Sequence, residues 1–160
     1  MRVETFLTSG FVGKRRTPIS GGYGDKSYWG LLFSGCTRGG KIMNGSADSP
    51  VVMTSGSENP QRGDWGGLVI AGKAPTNKGA SPTTEVGDLT YGGTTSDDSS
   101  GSIRYLRVEY TGATFTNEKE FNGVSLFGVG SGTTFEYVQA YEAGDDGIEF
   151  LVEQLMANIL

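Results

Sequence analysis

Two stretches of this sequence repeat each other, and Phe135 follows Ile103 at a distance of 32 residues. The stretches 103–110 and 135–141 both alternate apolar and polar residues between glycines. Alternation of this kind indicates a half-buried strand. A strand that recurs every 20–50 residues or so indicates a stacked repeat fold. Aligning the two stretches pairs Ile103 with Phe135, Tyr105 with Tyr137, Leu106 with Val138 and Val108 with Ala140.

A second strand is predicted after each of the first strands. The predicted first strands are 51–54, 103–110 and 135–141, and the predicted second strands are 65–72, 121–128 and 147–151. Two strands per unit, each lying on the like strand of the next unit, describe an all-β fold: a short right-handed parallel β-helix of about three coils. A propeller blade would need four antiparallel strands in each unit, and the sequence does not contain them.

The chain divides into three parts on this interpretation. Residues 1–36 form an irregular N-terminal segment with one strand at Leu31–Ser34, residues 37–150 form the β-helix domain, and residues 151–160 form a divergent C-terminal tail. Within the domain, residues 73–100 are a long polar insertion. A loop of that length inside a compact domain is either functional or flexible.

Composition excludes several functional classes. The 27 glycines favour β-structure with tight turns. A net charge of −5 disfavours a nucleic-acid partner, and the absence of a run of 18 apolar residues predicts no membrane span. The chain has no histidine and only one cysteine, Cys36. Ser-His-Asp catalysis, imidazole-bound zinc and an internal disulfide are therefore excluded.

Several phrases of the sequence resemble a family of Bacteroidota-type bacterial parallel β-helix proteins. The resemblance covers 38–150, which is 113 of the 160 residues, and rests on 63–67 (Gly-Asp-Trp-Gly-Gly), 91–93 (Tyr-Gly-Gly), 100–105 (Ser-Gly-Ser-Ile-Arg-Tyr) and 144–150 (Gly-Asp-Asp-Gly-Ile-Glu-Phe). It implies a right-handed β-helix in a secreted or surface-attached protein, with a signal segment outside the printed sequence. It implies no single activity.

The two ends of the chain depart from the family pattern. The tail 151–160 and the residues just before Thr37 fit a shifted reading frame, which predicts a fragment of a longer β-helix. The alternative is an amphipathic helix over 151–160, because its apolar residues fall at helical spacing. Solenoid ends without caps expose strand edges, so we expect self-association.

Acidic residues cluster where the units predict neighbouring strand ends. Asp145, Asp146 and Glu149 lie at the start of the last predicted strand, and Glu109 and Glu142 end the strands before it. Ca²⁺ takes six to eight oxygen ligands, many of them carboxylates. These five residues are therefore candidate ligands for calcium, the one cofactor that the sequence suggests.

The same acids are candidate catalytic groups. A pair of carboxylates can act on a glycosidic bond as acid and base, which points to Asp145, Asp146 and Glu149. Arg107 is the candidate base of a lyase. The alternatives are structural: the aspartates accept backbone N–H bonds at a corner, and Arg104 and Arg107 pair with residues of the next strand.

Two functions follow from these observations. The first is a non-catalytic extracellular or cell-surface module that binds glycans or other surfaces, for which exposed tyrosines would supply stacking platforms. The second is a calcium-assisted hydrolase or lyase that acts on a polysaccharide or a small ester. The sequence leaves open whether the chain is an enzyme.

Overall fold

A computed structural model describes residues 31–34, 41–55, 57–86, 89–116, 119–151 and 157–158. This part of the chain contains eleven strands and no helix. The strands are β1 (Leu31–Ser34), β2 (Lys41–Asn44), β3 (Val51–Met53), β4 (Leu68–Ala71), β5 (Ser102–Glu109), β6 (Thr114–Thr116), β7 (Lys119–Glu120), β8 (Val124–Phe127), β9 (Thr134–Tyr141), β10 (Ile148–Leu151) and β11 (Ala157–Asn158).

The first sheet has the order β1-β4-β8-β10, and every pair in it is parallel. Equivalent residues of successive strands face each other: Leu68 is opposite Val124, which is opposite Ile148. Strands therefore join the sheet in the order in which they occur along the chain. We call the stretches β2–β4, β5–β8 and β9–β10 the three repeat units.

The second sheet has the order β11-β9-β5-β2, with β3 also paired to β5. β5 and β9 are parallel over their whole length, with Ile103 opposite Phe135 and Val108 opposite Ala140. This register is the one predicted from the repeat, and the prediction is confirmed. β2 pairs with the start of β5 and β3 with its end, so one long strand of the second unit corresponds to two short strands of the first.

β5 and β9 both bend in the middle. Tyr105 and Tyr137 take positive φ angles of 49° and 55°, a left-handed conformation that is uncommon for residues other than glycine. The same conformation recurs one residue beyond the strands, at Tyr110 (60°) and Glu142 (53°). Because both bends occur at positions 32 residues apart, the two strands stay in register through them.

The main core lies between the two sheets. Apolar side chains of β2, β3, β4, β5, β8 and β9 point into it, and burial of each large apolar side chain contributes roughly 1.5–3 kcal/mol. Its buried members come from both sheets and all three units: Met43, Met53, Trp65, Leu68, Ile70, Ile103, Leu106, Val108, Val124, Leu126, Val129 and Phe135.

The insertion 73–100 covers the outer surface of the first sheet. Val86 and Tyr91 of the insertion are 3% and 4% exposed and belong to a second apolar cluster with Val69, Ala71 and Phe127 of the sheet. The ring centroids of Tyr91 and Phe127 are 5.1 Å apart. The insertion is therefore a packed layer, and the residues of β4 and β8 that point away from the main core are also buried.

The predicted strands all occur, with ends that differ by a few residues. The alternative of a helix over 151–160 is wrong where the structure describes this tail, because Leu151 ends β10 and β11 pairs in parallel with Phe135 and Glu136. Residues 1–30, 35–40, 152–156 and 159–160 lie outside the described residues, and so does Cys36. The three-part division and the shifted reading frame stay predictions.

Close contact between repeat units depends on glycine at specific positions, which a pair of substitutions tests. Gly67 (φ +134°) lies against the backbone carbonyl oxygens of Asn122 and Gly123 in the next unit, whereas a Cβ at Gly79 (φ +101°) would meet nothing within 4 Å. We expect Gly79→Ala to cost about 1–3 kcal/mol of conformational strain. Gly67→Ala adds a clash with backbone, and we expect a loss above about 4 kcal/mol or no folded protein. Equal unfolding free energies in urea would contradict this account.

Candidate functional site

Polar and aromatic side chains occupy the outer surface of the second sheet. Ile103, Leu106 and Val108 of β5 point into the core, so the residues between them point outward. Arg104 is opposite Glu136, Arg107 is opposite Gln139, and Glu109 is opposite Tyr141. We call this surface the tyrosine face, and its members are Arg104, Tyr105, Arg107, Glu109, Tyr110, Glu136, Tyr137, Gln139 and Tyr141.

The tyrosines of this face support one another. Tyr105 and Tyr137, which the sequence repeat pairs, are stacked, with ring centroids 4.4 Å apart and ring planes 9° apart. Tyr110 packs edge-on to Tyr141 at 5.8 Å, and the guanidinium carbon of Arg107 lies 5.3 Å from the centroid of the Tyr141 ring. Tyr137 and Tyr141 are still 39% and 41% exposed. Two aromatic rings are thus held in fixed orientations at the surface.

Both arginines of the face form ion pairs. Arg104 Nη2 lies 2.8 Å from Glu136 Oε2 across the strands, which confirms the predicted pairing. Arg107 Nε lies 2.6 Å from Glu109 Oε1, a neighbour on its own strand, whereas the sequence predicted a partner on the next strand. The Arg107 contact is an ion pair without hydrogen-bond geometry. The other carboxylate oxygen of Glu109 accepts a 2.8 Å hydrogen bond from the Thr54 hydroxyl.

Glu142 is occupied by a different partner. Arg62 Nε donates a 2.6 Å hydrogen bond to Glu142 Oε2, which joins the loop before β4 to the end of β9. This bond and the positive charge of Arg62 lower the pKa of Glu142, and they raise the pKa of Arg62. Both side chains are well exposed, so the pair adds little to stability in salt solution.

Glu149 lies on the opposite side of the molecule, on the outer surface of the first sheet. It is opposite Ser125 of β8, which is opposite Val69 of β4, and it lies half-buried beneath the insertion. Asn122 connects it to the preceding turn: the amide nitrogen donates a 2.8 Å bond to Glu149 Oε2, and the amide oxygen accepts a 3.1 Å bond from the backbone N–H of Asp146.

Burial raises the pKa of the Glu149 carboxyl above its usual value of 4.5. Hydrogen bonds from Ser125 and Asn122 act in the opposite direction, and the nearby charges of Glu85 and Asp146 raise the pKa further. Burial also raises the pKa of the Tyr91 hydroxyl, with a smaller contribution from the charge of Glu149. A carboxyl group in such surroundings holds its proton to higher pH than a solvated one.

The candidate calcium ligands are divided among these surroundings. Glu109 contacts Thr54 and Arg107, Glu142 contacts Arg62, and Glu149 contacts Asn122. Asp145 and Asp146 are exposed in the turn before β10. Among the residues that the structure describes, no three or more Asp, Glu, His or Cys side chains form a metal-binding group. The calcium site stays a prediction.

The candidate catalytic residues are likewise separated. Arg107 lies on β5 of the second sheet, whereas Glu149 lies on β10 of the first sheet. Sequence reasoning did not identify the side chains that hold the acids, Thr54, Asn122 and Ser125. Ser125 had a signal, because it is a polar residue between the buried Val124 and Leu126 of a predicted strand.

Comparison with protein families identifies a relationship. A model described as a pectate-lyase-like β-helix domain matches residues 32–159. The chain belongs to this β-helix family. No curated protein and no solved structure matches the chain itself. The match to the β-helix domain begins in β1 and extends through β11, so it includes strands on both sides of the predicted domain 37–150.

Within the described residues of this β-helix domain, no helix is long and apolar enough to cross a membrane.

The raised pKa of Glu149 predicts how the folding stability of the protein changes with pH. A pKa raised in the folded state means that stability is greatest while the carboxyl is protonated and falls as pH rises through the folded pKa. Glu149→Gln keeps an oxygen to accept the Asn122 bond but cannot ionise. We expect its melting temperature to equal that of wild type near pH 4 and to exceed it increasingly above that pH.

Glu142→Gln is the matched control, because the pKa of Glu142 is lowered. Its contribution is present at neutral pH and is lost as pH falls through the folded pKa. This variant should therefore be slightly less stable than wild type at pH 7 and equal to it in acid. Thermal unfolding across pH, followed by circular dichroism, measures both. A Glu149→Gln difference that does not change with pH would contradict the assignment.

Proposed function

We propose that this domain binds glycan chains across the tyrosine face without cleaving them, in an extracellular or cell-surface protein. The observation that carries the proposal is the pair of exposed rings, Tyr137 and Tyr141, held on one strand by Tyr105 and Arg107. Membership of the pectate-lyase-like β-helix family supports a polysaccharide partner.

The chemistry of the face suits a sugar. A pyranose ring has an apolar surface of C–H groups, which packs on an aromatic ring, and a rim of hydroxyls, which needs donors and acceptors. Tyr137 and Tyr141 supply the aromatic surfaces and phenolic hydroxyls. Gln139, exposed between them on β9, supplies an amide that both donates and accepts. Because the rings are already ordered, binding loses little side-chain entropy.

We propose that the domain that carries this face is a right-handed solenoid of about three coils. The parallel registers of both sheets and the order in which strands join them support it. Right-handed crossover is the rule for parallel strands joined in one sheet. In such a solenoid the outward residues of β5 and β9 form one continuous wall, along which a linear chain can lie.

Removal of one exposed ring tests the proposal. We expect Tyr141→Ala to weaken glycan binding about ten-fold or more, because it removes a stacking surface and the partner of the Arg107 guanidinium. Tyr141→Phe keeps the ring and should retain most of the affinity. A glycan array identifies the ligand, and isothermal titration measures the variants. Unchanged affinity of Tyr141→Ala would show that glycan binds elsewhere.

A second function is favoured by one observation, the raised pKa of Glu149 beside the buried Tyr91. A carboxyl whose pKa is raised by burial holds its proton to higher pH than a solvated one, which suits it to act as a general acid. The corresponding proposal is a calcium-assisted hydrolase or lyase that acts on a polysaccharide or a small ester. Asp145, Asp146 and Glu149 would be its catalytic and metal-binding residues.

Enzyme assays distinguish the two functions. On the binding proposal, we expect no turnover of polysaccharides or small esters, with calcium added or with EDTA. Turnover that is abolished by EDTA and also by Asp146→Ala would replace binding with calcium-assisted catalysis. Glu149→Gln then reports on the acid, since it keeps the bond to Asn122 but cannot release a proton. Gly79→Ala is the control for effects of folding.

A further inference from the structure

The guanidinium groups of the tyrosine face are already neutralised. Arg104 is paired with Glu136, and Arg107 is paired with Glu109. At the end of β9 next to the face, Arg62 is paired with Glu142. The face therefore presents aromatic rings, an amide and balanced ion pairs, on a chain whose net charge is −5.

We infer that the tyrosine face selects an uncharged glycan over a uronate-containing or sulfated one. This inference rests on the proposed function, because it names the class of glycan that the same site takes. Charge complementarity carries it: a polyanion needs an excess of positive charge along its path, and here each positive group has a carboxylate beside it.

Glu109 makes it costly for an acidic sugar to take Arg107 out of its ion pair. Its side chain is only 14% exposed, and both of its oxygens are engaged, one by Arg107 and one by Thr54. An acidic sugar that took Arg107 as its counter-ion would leave the Glu109 carboxylate half-buried beside another negative charge. Removal of one partner from a buried pair is costly for this reason.

A neutral sugar makes no such demand. A guanidinium has five N–H donors, so Arg107 can keep its Nε against Glu109 and still donate to a sugar hydroxyl. Gln139 and the tyrosine hydroxyls donate and accept without a change of ionisation. Binding of a neutral chain should therefore depend little on salt, because no exposed charges are brought together.

The test compares neutral and acidic oligosaccharides of equal length. Wild-type protein is titrated with hexasaccharides of glucan, xylan and mannan and with hexagalacturonate, at low and at moderate salt, with and without added Ca²⁺. We expect at least one neutral oligosaccharide to bind about ten-fold more tightly than hexagalacturonate, with an affinity that changes less than about two-fold with salt.

Glu109→Gln provides the decisive variant. It keeps an oxygen for the Thr54 hydroxyl but releases Arg107 from its ion pair. We expect the ratio of its affinity for hexagalacturonate to its affinity for the neutral ligand to rise above the wild-type ratio, with the rise lost at higher salt. Glu136→Gln, which releases Arg104, should act in the same direction. Glu58→Gln changes the net charge by the same amount at an exposed position outside the face, and it should not change the affinity for either ligand.

The outcomes separate this inference from the proposed function. Hexagalacturonate binding as tight as that of any neutral ligand, and lost in Tyr141→Ala, would overturn the inference and leave glycan binding by the tyrosine face intact. Binding that Tyr141→Ala does not weaken, or no binding to any oligosaccharide, would overturn the proposed function and this inference with it. An affinity ratio for Glu109→Gln no higher than that of wild type would contradict the role of Glu109.

Discussion

Parallel hydrogen bonding between equivalent strands is the constraint on which the whole structure depends. Each strand of the second unit lies on the like strand of its neighbour in register, from Ser102 opposite Thr134 to Glu109 opposite Tyr141. Such pairing places equivalent side chains next to each other on the same face of the sheet. Core residues therefore lie beside core residues, and surface residues beside surface residues. Where the chain turns, the backbones come so close that only glycine fits, as at Gly112 against Gly144.

The strands and their register could be predicted from the sequence because they obey a periodicity that the sequence repeats. The bends could not, since Tyr105 and Tyr137 adopt a conformation that their residue type does not favour. Only the structure shows that both tyrosines adopt it together. The role of the insertion 73–100 was equally hidden, because its few apolar residues, such as Val86 and Tyr91, follow no period.

The acidic residues show why a candidate site is harder to predict than a fold. Sequence spacing places Glu109, Glu142 and Glu149 near neighbouring strand ends, whereas in the structure Glu109 lies on β5 of the second sheet and Glu149 on β10 of the first. What decides their chemistry is the partner of each carboxylate, and those partners lie far away along the chain: 55 residues for Thr54 with Glu109, 80 for Arg62 with Glu142 and 27 for Asn122 with Glu149. No local pattern contains that information.

The layer formed by residues 73–100 gives the molecule two unlike sides. The outward residues of β4 and β8 are shielded by it, whereas the outward residues of β9 include tyrosines that meet solvent directly. The exposed rings of Tyr137 and Tyr141 are therefore found on the side of the second sheet. In a larger surface protein, a neighbouring part would pack on the side of the domain that the insertion covers, and the tyrosines would stay exposed. The single insertion 73–100 would then determine which side of the domain faces solvent.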